Sequence, residues 1–202
     1  MIKIAVLVSG GGTNLQALID SEKAGMFPSG KITLVLSGND RAYALERARS
    51  AGIETAVVRR KDYETQDLFD NAVITVLKEH DIDMIVLAGY LSILGMPVIE
   101  AYPERIINIH PSLIPSFCGK GFYGLKVHQA ALERGVKITG ATVHYVNEIP
   151  DGGRILIQKA VAVEEGDTPE ILQRRVMEQA EWKILPQAVR IVSDLLEKEN
   201  SK

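Results

Sequence analysis

Ile2-Lys3-Ile4-Ala5-Val6-Leu7-Val8-Ser9-Gly10-Gly11-Gly12-Thr13-Asn14-Leu15 is an apolar β-branched run, a triple glycine and the start of a helical pattern continued by Leu18 and Ile19. A continuous apolar run of this length fits a strand buried on both faces, as in a parallel sheet covered by helices. Glycine lets the backbone approach a ligand closely, and the free N–H groups of a helix N-terminus face whatever sits there. The stretch therefore predicts an anion site at the exit of the first strand. Gly10-x-Gly12 is not a dinucleotide fingerprint, which would need a third small residue where Leu15 stands. No Gly-Lys-Ser/Thr follows, which excludes a P-loop. A single phosphate is the expected ligand.

Outward from this unit, strand and helix patterns alternate. Lys31 to Leu36 reads as a strand, closed by Ser37-Gly38-Asn39-Asp40. Arg41 to Ser50 reads as a helix stopped at Gly52, and Ile53 to Val58 as the next strand. Arg59-Arg60-Lys61 is a small basic cluster at its end. Asp62 to Glu79 is a helix with Leu68, Phe69, Val73 and Leu77 inward. Asp83 to Ala88 is a strand, and Gly89 to Gly95 an apolar loop in which a flat aromatic ligand could slot. Leu125 to Arg134 is a helix. Lys137 to Val146 and Arg154 to Val163 are strands paired antiparallel across Asp151-Gly152-Gly153. Thr168 and Pro169 open a last helical region, which Pro186 is expected to divide or kink. The pattern predicts an α/β fold with a doubly wound, mostly parallel sheet, right-handed crossovers and an antiparallel C-terminal strand. It reads as one domain over 1–202, with a nucleotide-binding half at about 1–100 and a catalytic half at about 101–202.

Bulk properties narrow the classes. The 202 residues are 46% hydrophobic and 24% charged, ordinary for a chain with a packed core. A net charge of −3 speaks against a general nucleic-acid binder. No apolar run reaches membrane-spanning length, and Cys118 is the only cysteine, so no internal disulfide forms. The N-terminal run passes straight into glycines and is read as a buried strand, not a leader. These points predict a cytoplasmic location.

Chemistry concentrates in Asn108-Ile109-His110-Pro111-Ser112-Leu113-Ile114-Pro115. It follows a strand candidate at Arg105 to Ile107 and runs into two prolines that allow neither helix nor ladder. Residues i and i+2 of a strand share a face. If strand geometry persists to His110, Asn108 and His110 point the same way, an amide donor beside an imidazole. Such a pair suits carbonyl polarisation and proton transfer. Asp151 reads first as a turn residue before two glycines, and gains interest as a carboxylate facing His110. Cys118 reads as a packing cysteine, and Glu181 as one glutamate among several in the last helical region. The histidines lack clustered ligand spacing, so no metal is expected.

Taken in order, Ser9-Gly10-Gly11-Gly12-Thr13-Asn14, Leu87-Ala88-Gly89-Tyr90, the Asn108–Pro115 segment, His144 and Asp151-Gly152-Gly153 resemble the phosphoribosylglycinamide formyltransferase family over nearly the whole chain. The resemblance implies a Rossmann-like formyltransferase fold and 10-formyltetrahydrofolate as co-substrate. It implies Asn108, His110 and Asp151 as the catalytic amide, imidazole and aspartate. Gly11, Gly12, Thr13, Asn14 and Glu181 would hold the substrate's phosphate and ribose. Arg60, Leu91, Ser92, Ile93, Leu94 and Asn108 would line the folate site, with Arg60 toward the glutamate tail. Two positions depart from the family pattern, Ser92 where arginine is common and Cys118-Gly119 where Pro-Gly is common. The implied reaction is formyl transfer to the amine of glycinamide ribonucleotide by direct attack, in a monomer or homodimer. The implied partners are small molecules, with no nucleic acid and no membrane. A formate-releasing hydrolase, a formylase of charged initiator tRNA and a non-catalytic nucleotide sensor are the competing readings. The phosphate loop, the net negative charge and the Asn/His/Asp set respectively argue against them.

Overall fold

A computed structural model describes residues 1–201. β1 (Ile2–Val8) leads through the glycine turn into α1 (Thr13–Lys23), then β2 (Gly30–Ser37), α2 (Tyr43–Ser50) and β3 (Glu54–Val57). α3 (Gln66–Glu79), β4 (Met84–Leu87), α4 (Met96–Ala101) and β5 (Ile106–His110) follow. The chain finishes with α5 (Leu125–Arg134), β6 (Ile138–Tyr145), β7 (Ile155–Ala162), α6 (Pro169–Val176) and α7 (Trp182–Asn200). Among the described residues the strands make one seven-stranded sheet in the order β3-β2-β1-β4-β5-β6-β7. β1 to β5 run parallel, and β6 and β7 pair antiparallel.

Side-chain alternation along β1 decides which helices cover which face. Ile2, Ile4, Val6 and Val8 pack with Leu15, Leu18 and Ile19 of α1 and with Leu172, Val176, Ile184 and Leu185 of the C-terminal helices. Ala5 and Leu7 pack with Phe69, Val73 and Leu77 of α3 and Val98 of α4. Each fully buried Leu, Ile or Phe contributes about 1.5–3 kcal/mol, so both layers are held by the pattern visible in β1 itself.

Several element bounds depart from the sequence expectations. The helix expected from Asp62 begins at Gln66, because the Thr65 hydroxyl accepts the Leu68 N–H and caps it there. Arg60–Asp62 form a separate 3₁₀ turn. The helix expected from Arg41 begins at Tyr43, and α4 is an addition to the expected elements. Pro186 does not divide the last helix, which runs unbroken from Trp182 to Asn200. The irregularity lies one turn earlier, in a π-helical stretch at Met177–Glu181.

Strand order places the site. β1 has β2 on one side and β4 on the other, so the chain leaves β1 and β4 in opposite directions. Such a switch opens a crevice at the carboxyl ends of the strands. The loops after β1, β4 and β5 all emerge there.

Candidate active site

The glycine turn is built by what holds its back. The Gly10 carbonyl accepts the Ala44 N–H of α2 at 3.1 Å, and the Gly11 carbonyl accepts Arg47 Nε at 2.8 Å. Across a planar trans peptide the carbonyl and the next N–H point opposite ways. Both carbonyls turned toward α2 therefore aim the amides of Gly11 and Gly12 away from it. The amides of Gly11, Gly12 and Thr13 donate to no backbone carbonyl among the described residues. Gly12 has φ +73°, and a Cβ there would meet Ala44 Cβ at 2.6 Å, so glycine is required on both counts.

Asn14, in the first turn of α1, donates from Nδ2 to Glu181 Oε2 at 2.6 Å. Both side chains are buried, and Asn14 Oδ1 has no partner. Burial pushes the Glu181 carboxyl up to about 7, against the pull of the Asn14 bond. This pair, remote in sequence, closes one end of a cleft of about 780 Å³.

At the centre of that cleft β5 continues through His110, so Asn108 and His110 do share a face. Antiparallel pairing sets His144 of β6 directly opposite Asn108. Asn108 Nδ2 lies 3.1 Å from His144 Nε2 and donates to Asp151 Oδ1 at 3.3 Å. His110 Nδ1 lies 3.5 Å from Asp151 Oδ2. Its Nε2 is 2.9 Å from the Phe117 carbonyl, which only accepts, so Nε2 carries a proton and Nδ1 is the nitrogen left for other atoms. His144 Nδ1 likewise donates to the Tyr145 carbonyl at 2.7 Å. Its Nε2 faces both a donor, Asn108, and an acceptor, Asp151 Oδ1 at 3.5 Å. That nitrogen has a partner whether it accepts or donates.

Asp151 has φ +57°. A Cβ at Gly153 would lie 1.7 Å from the Tyr145 carbonyl, so the hairpin turns tightly and swings the carboxylate back over β5. Burial pushes the Asp151 carboxyl up. The bond with His144, the charge of His110 and the Gly119 N–H at 2.8 Å outweigh it and hold the group below the usual carboxylate range.

A smaller slot of about 140 Å³ adjoins the cleft. Tyr90, Ile93, Asn108, Pro150 and Asp151 line both. Ser92, Leu94 and His144 line the slot as well. Leu91, which lines the cleft and not the slot, and Ile93 are exposed, and Leu94 is buried. The Leu91 N–H donates to Ser9 Oγ at 2.9 Å, tying the slot loop to the glycine turn. Arg60 lines neither cavity. Its Nε donates to Gln66 Oε1 at 3.1 Å and its Nη1 to the Tyr63 carbonyl at 2.7 Å. It reaches the slot loop only through Gln66, which donates to the Ile93 carbonyl at 3.0 Å. Among the described residues no three His, Cys, Asp or Glu side chains are arranged to hold a metal.

Sequence reasoning gave no role to His144 and did not foresee His128, Phe122, Tyr123 or Met177 on the cleft wall. The β5–β6 register that sets His144 against Asn108 is a long-range pairing with no local signature.

Two layers of helices around this sheet, with an Asn/His/His/Asp cluster at its carboxyl edge, make an α/β protein with a candidate enzyme site where ligands of open α/β sheets bind. A family model described as formyl transferase matches residues 2–189, and the chain belongs to that family. It is 42% identical over 190 residues to phosphoribosylglycinamide formyltransferase of Haemophilus influenzae, covering 94% of this chain and 86% of that protein. It is 44% identical over 191 residues to the trifunctional purine biosynthetic protein adenosine-3 of Homo sapiens. That match covers 95% of this chain, which spans 18% of the human protein's length. The crystal structure of glycinamide ribonucleotide transformylase 1 from Symbiobacterium toebii superposes with a TM-score of 0.90 at 43% identity, over 96% of this chain and 88% of that one. No helix of the described residues is long and apolar enough to cross a membrane.

Proposed function

We propose that the protein transfers the formyl group of 10-formyltetrahydrofolate to the amine of glycinamide ribonucleotide, a step of de novo purine (IMP) biosynthesis. One observation carries the reading. One cleft runs from Asn14 and Glu181, next to the glycine turn, to Asn108, His110 and Asp151, and the slot adjoins it at Asn108 and Asp151 with His144 on its wall. The relatives' names support the same substrates.

In this reading the amides of Gly11, Gly12 and Thr13 hold the phosphate, and Asn14 with Glu181 meets the ribose. The folate ring enters between the Leu91–Leu94 segment and the turn before Asp151. Arg60 reaches only the far, tail end of the folate. The substrate amine attacks the formyl carbon, giving a tetrahedral intermediate with charge on the formyl oxygen. Asn108 donates to that oxygen, exchanging its longer bond to Asp151 for the new one. Such a donor is worth about 10²–10³ in rate. His110 Nδ1, beside Asp151, adds positive charge at the same centre. Asp151 and His144 take the proton lost by the attacking nitrogen and return it to the folate nitrogen as the carbon–nitrogen bond breaks. Proton transfer of this kind contributes about 10²–10⁴. The cluster needs no metal for this chemistry. The chain would act as one domain, as a monomer or homodimer in the cytoplasm.

The test is to follow tetrahydrofolate release from 10-formyltetrahydrofolate with and without glycinamide ribonucleotide. Release that requires the ribonucleotide, with formylated product in equal amount, is expected. Release that ignores it would replace this reading by a hydrolase.

A further inference from the structure

Behind the slot, on the protein side of its wall, lies a polar chain, fully buried at Asp70, whose inner members Gln66 and Asp70 have no part in the proposed chemistry. Asp70 of α3 is fully buried, and no Lys, Arg or His among the described residues pairs with it. A carboxylate in such a place is expensive unless its oxygens are bonded. Oδ1 accepts twice, from Gln66 Nε2 at 2.9 Å and from the Gly95 N–H at 3.1 Å. Oδ2 has no partner and is crowded against Gly95, where a Cβ would meet it at 2.1 Å. Gly95 has φ −83°, open to any residue. Space for the carboxylate, and not backbone conformation, is what requires glycine there.

Gln66 sits one helical turn before Asp70, on the same face of α3. Its amide oxygen takes Arg60 Nε, and its nitrogen serves both Asp70 Oδ1 and the Ile93 carbonyl. A guanidinium only donates and a carboxylate only accepts, so the amide has one satisfying orientation. The result is a continuous chain from Arg60 through Gln66 to Asp70, with two branches onto the slot loop at Ile93 and Gly95. Ile93 and Leu94, between those branches, line the slot. The Ile93 side chain is 68% exposed, so it has little packing of its own to fix it. Apolar packing alone would hold this loop more cheaply than a buried carboxylate. Hydrogen bonds hold it at defined directions, which packing does not.

We propose that Gln66 and Asp70 are positioning residues for the folate. By clamping Ile93 and Gly95 from inside the protein they set the width of the slot, and through Gln66 they keep Arg60 in register with its mouth. This rests on the folate reading of the slot given above.

The experiment compares Gln66→Leu, Asp70→Ala and Asp70→Asn by calorimetric titration with tetrahydrofolate and by steady-state kinetics. Losing one or two such bonds weakens tetrahydrofolate binding, and raises KM for the formyl donor, by about 5–30-fold. kcat and KM for glycinamide ribonucleotide stay within about twofold, since those contacts lie elsewhere. Asp70→Asn keeps an acceptor in the Oδ1 position and restores affinity to within about threefold. Gln66 is half-buried near the start of α3, so Gln66→Leu stays testable even where Asp70→Ala fails to fold. A folded Gln66→Leu protein with unaltered tetrahydrofolate affinity overturns the clamp. So does a parallel fall of kcat and rise of both KM values, which marks a general structural role. Unaltered protein that binds tetrahydrofolate yet transfers no formyl group overturns the proposed reaction and leaves the clamp to be judged on the titration. Unaltered protein that binds no tetrahydrofolate overturns both.

Discussion

The two ends of the cleft are built on different terms. The glycine end is contiguous: one strand, one turn and one helix start supply three backbone amides within a few residues of each other. The centre and the slot are assembled from side chains and loops of β4, β5, β6 and the following hairpin, with Asn108 and Asp151 43 residues apart along the chain. Backbone amides survive most side-chain substitutions, because every residue but proline carries one, so of this turn Gly12 is the position whose side chain matters. A cluster of four side chains is only as good as the strand register that brings them together. The comparison teaches where the protein is tolerant and where it is not.

The largest effect should come from the assembled centre. Asp151→Asn removes the carboxylate that faces both histidines while keeping its size. Turnover is expected to fall by about 10²–10⁴, as for loss of a proton-transfer group, with little change in phosphate affinity measured by competition with inorganic phosphate. Near-normal turnover would erase the contrast between the two ends.

Glu181, bonded to Asn14, closes the glycine end, and its carboxyl is raised in a way that costs the fold stability. Its carboxyl, ordinarily at 4.5, is raised to about 7 by burial. Between those values the folded protein holds a proton that the unfolded chain has released, so stability falls as pH rises from 4.5 to 7 and then levels off. Glu181→Gln removes that slope and is expected to stabilise the ligand-free protein by about 1–3 kcal/mol at pH 8. Denaturant melts at pH 5 and pH 8 measure it. The same substitution should weaken ribonucleotide binding. A variant no more stable than the parent at pH 8 would remove the idea that this carboxyl is kept for its ligand.

The smallest effect belongs to the glycine end. Arg47→Met frees the Gly11 carbonyl but leaves the Ala44 bond to Gly10 and the amides themselves. KM for glycinamide ribonucleotide should rise by about fivefold, the worth of one hydrogen bond, with kcat and the folate KM unmoved. A rise of a hundredfold would show that the turn depends on α2 as heavily as the centre depends on β6.

The local signals were legible. The apolar run of β1, the glycines, the Asn108-x-His110 spacing on a continuing strand and the Thr168-Pro169 helix start are all short-range, and each stands in the structure as its residues suggest. Pro186 does not divide α7, where it is buried among Ile184, Leu185, Ala188 and Val189, a packing that no local signal announces. The family resemblance assigned Asn14 and Glu181 to one ligand, but their direct 2.6 Å bond and shared burial belong to the tertiary structure. His144 could be quoted with its neighbours, but its role depends on which residue of β5 it opposes.

The sequence by itself determined the layered α/β architecture, the glycine turn after β1 and the family's ordered polar residues. Hydrophobic periodicity, glycine conformation and strand alternation act over a few residues and leave their mark there. Tertiary structure alone decided that Asn108, His110, His144 and Asp151 converge. It also decided that Glu181 titrates near neutrality and that Arg60 stands behind the slot loop rather than in the slot. Those outcomes depend on strand order, register and burial, which are set by contacts between residues dozens of positions apart.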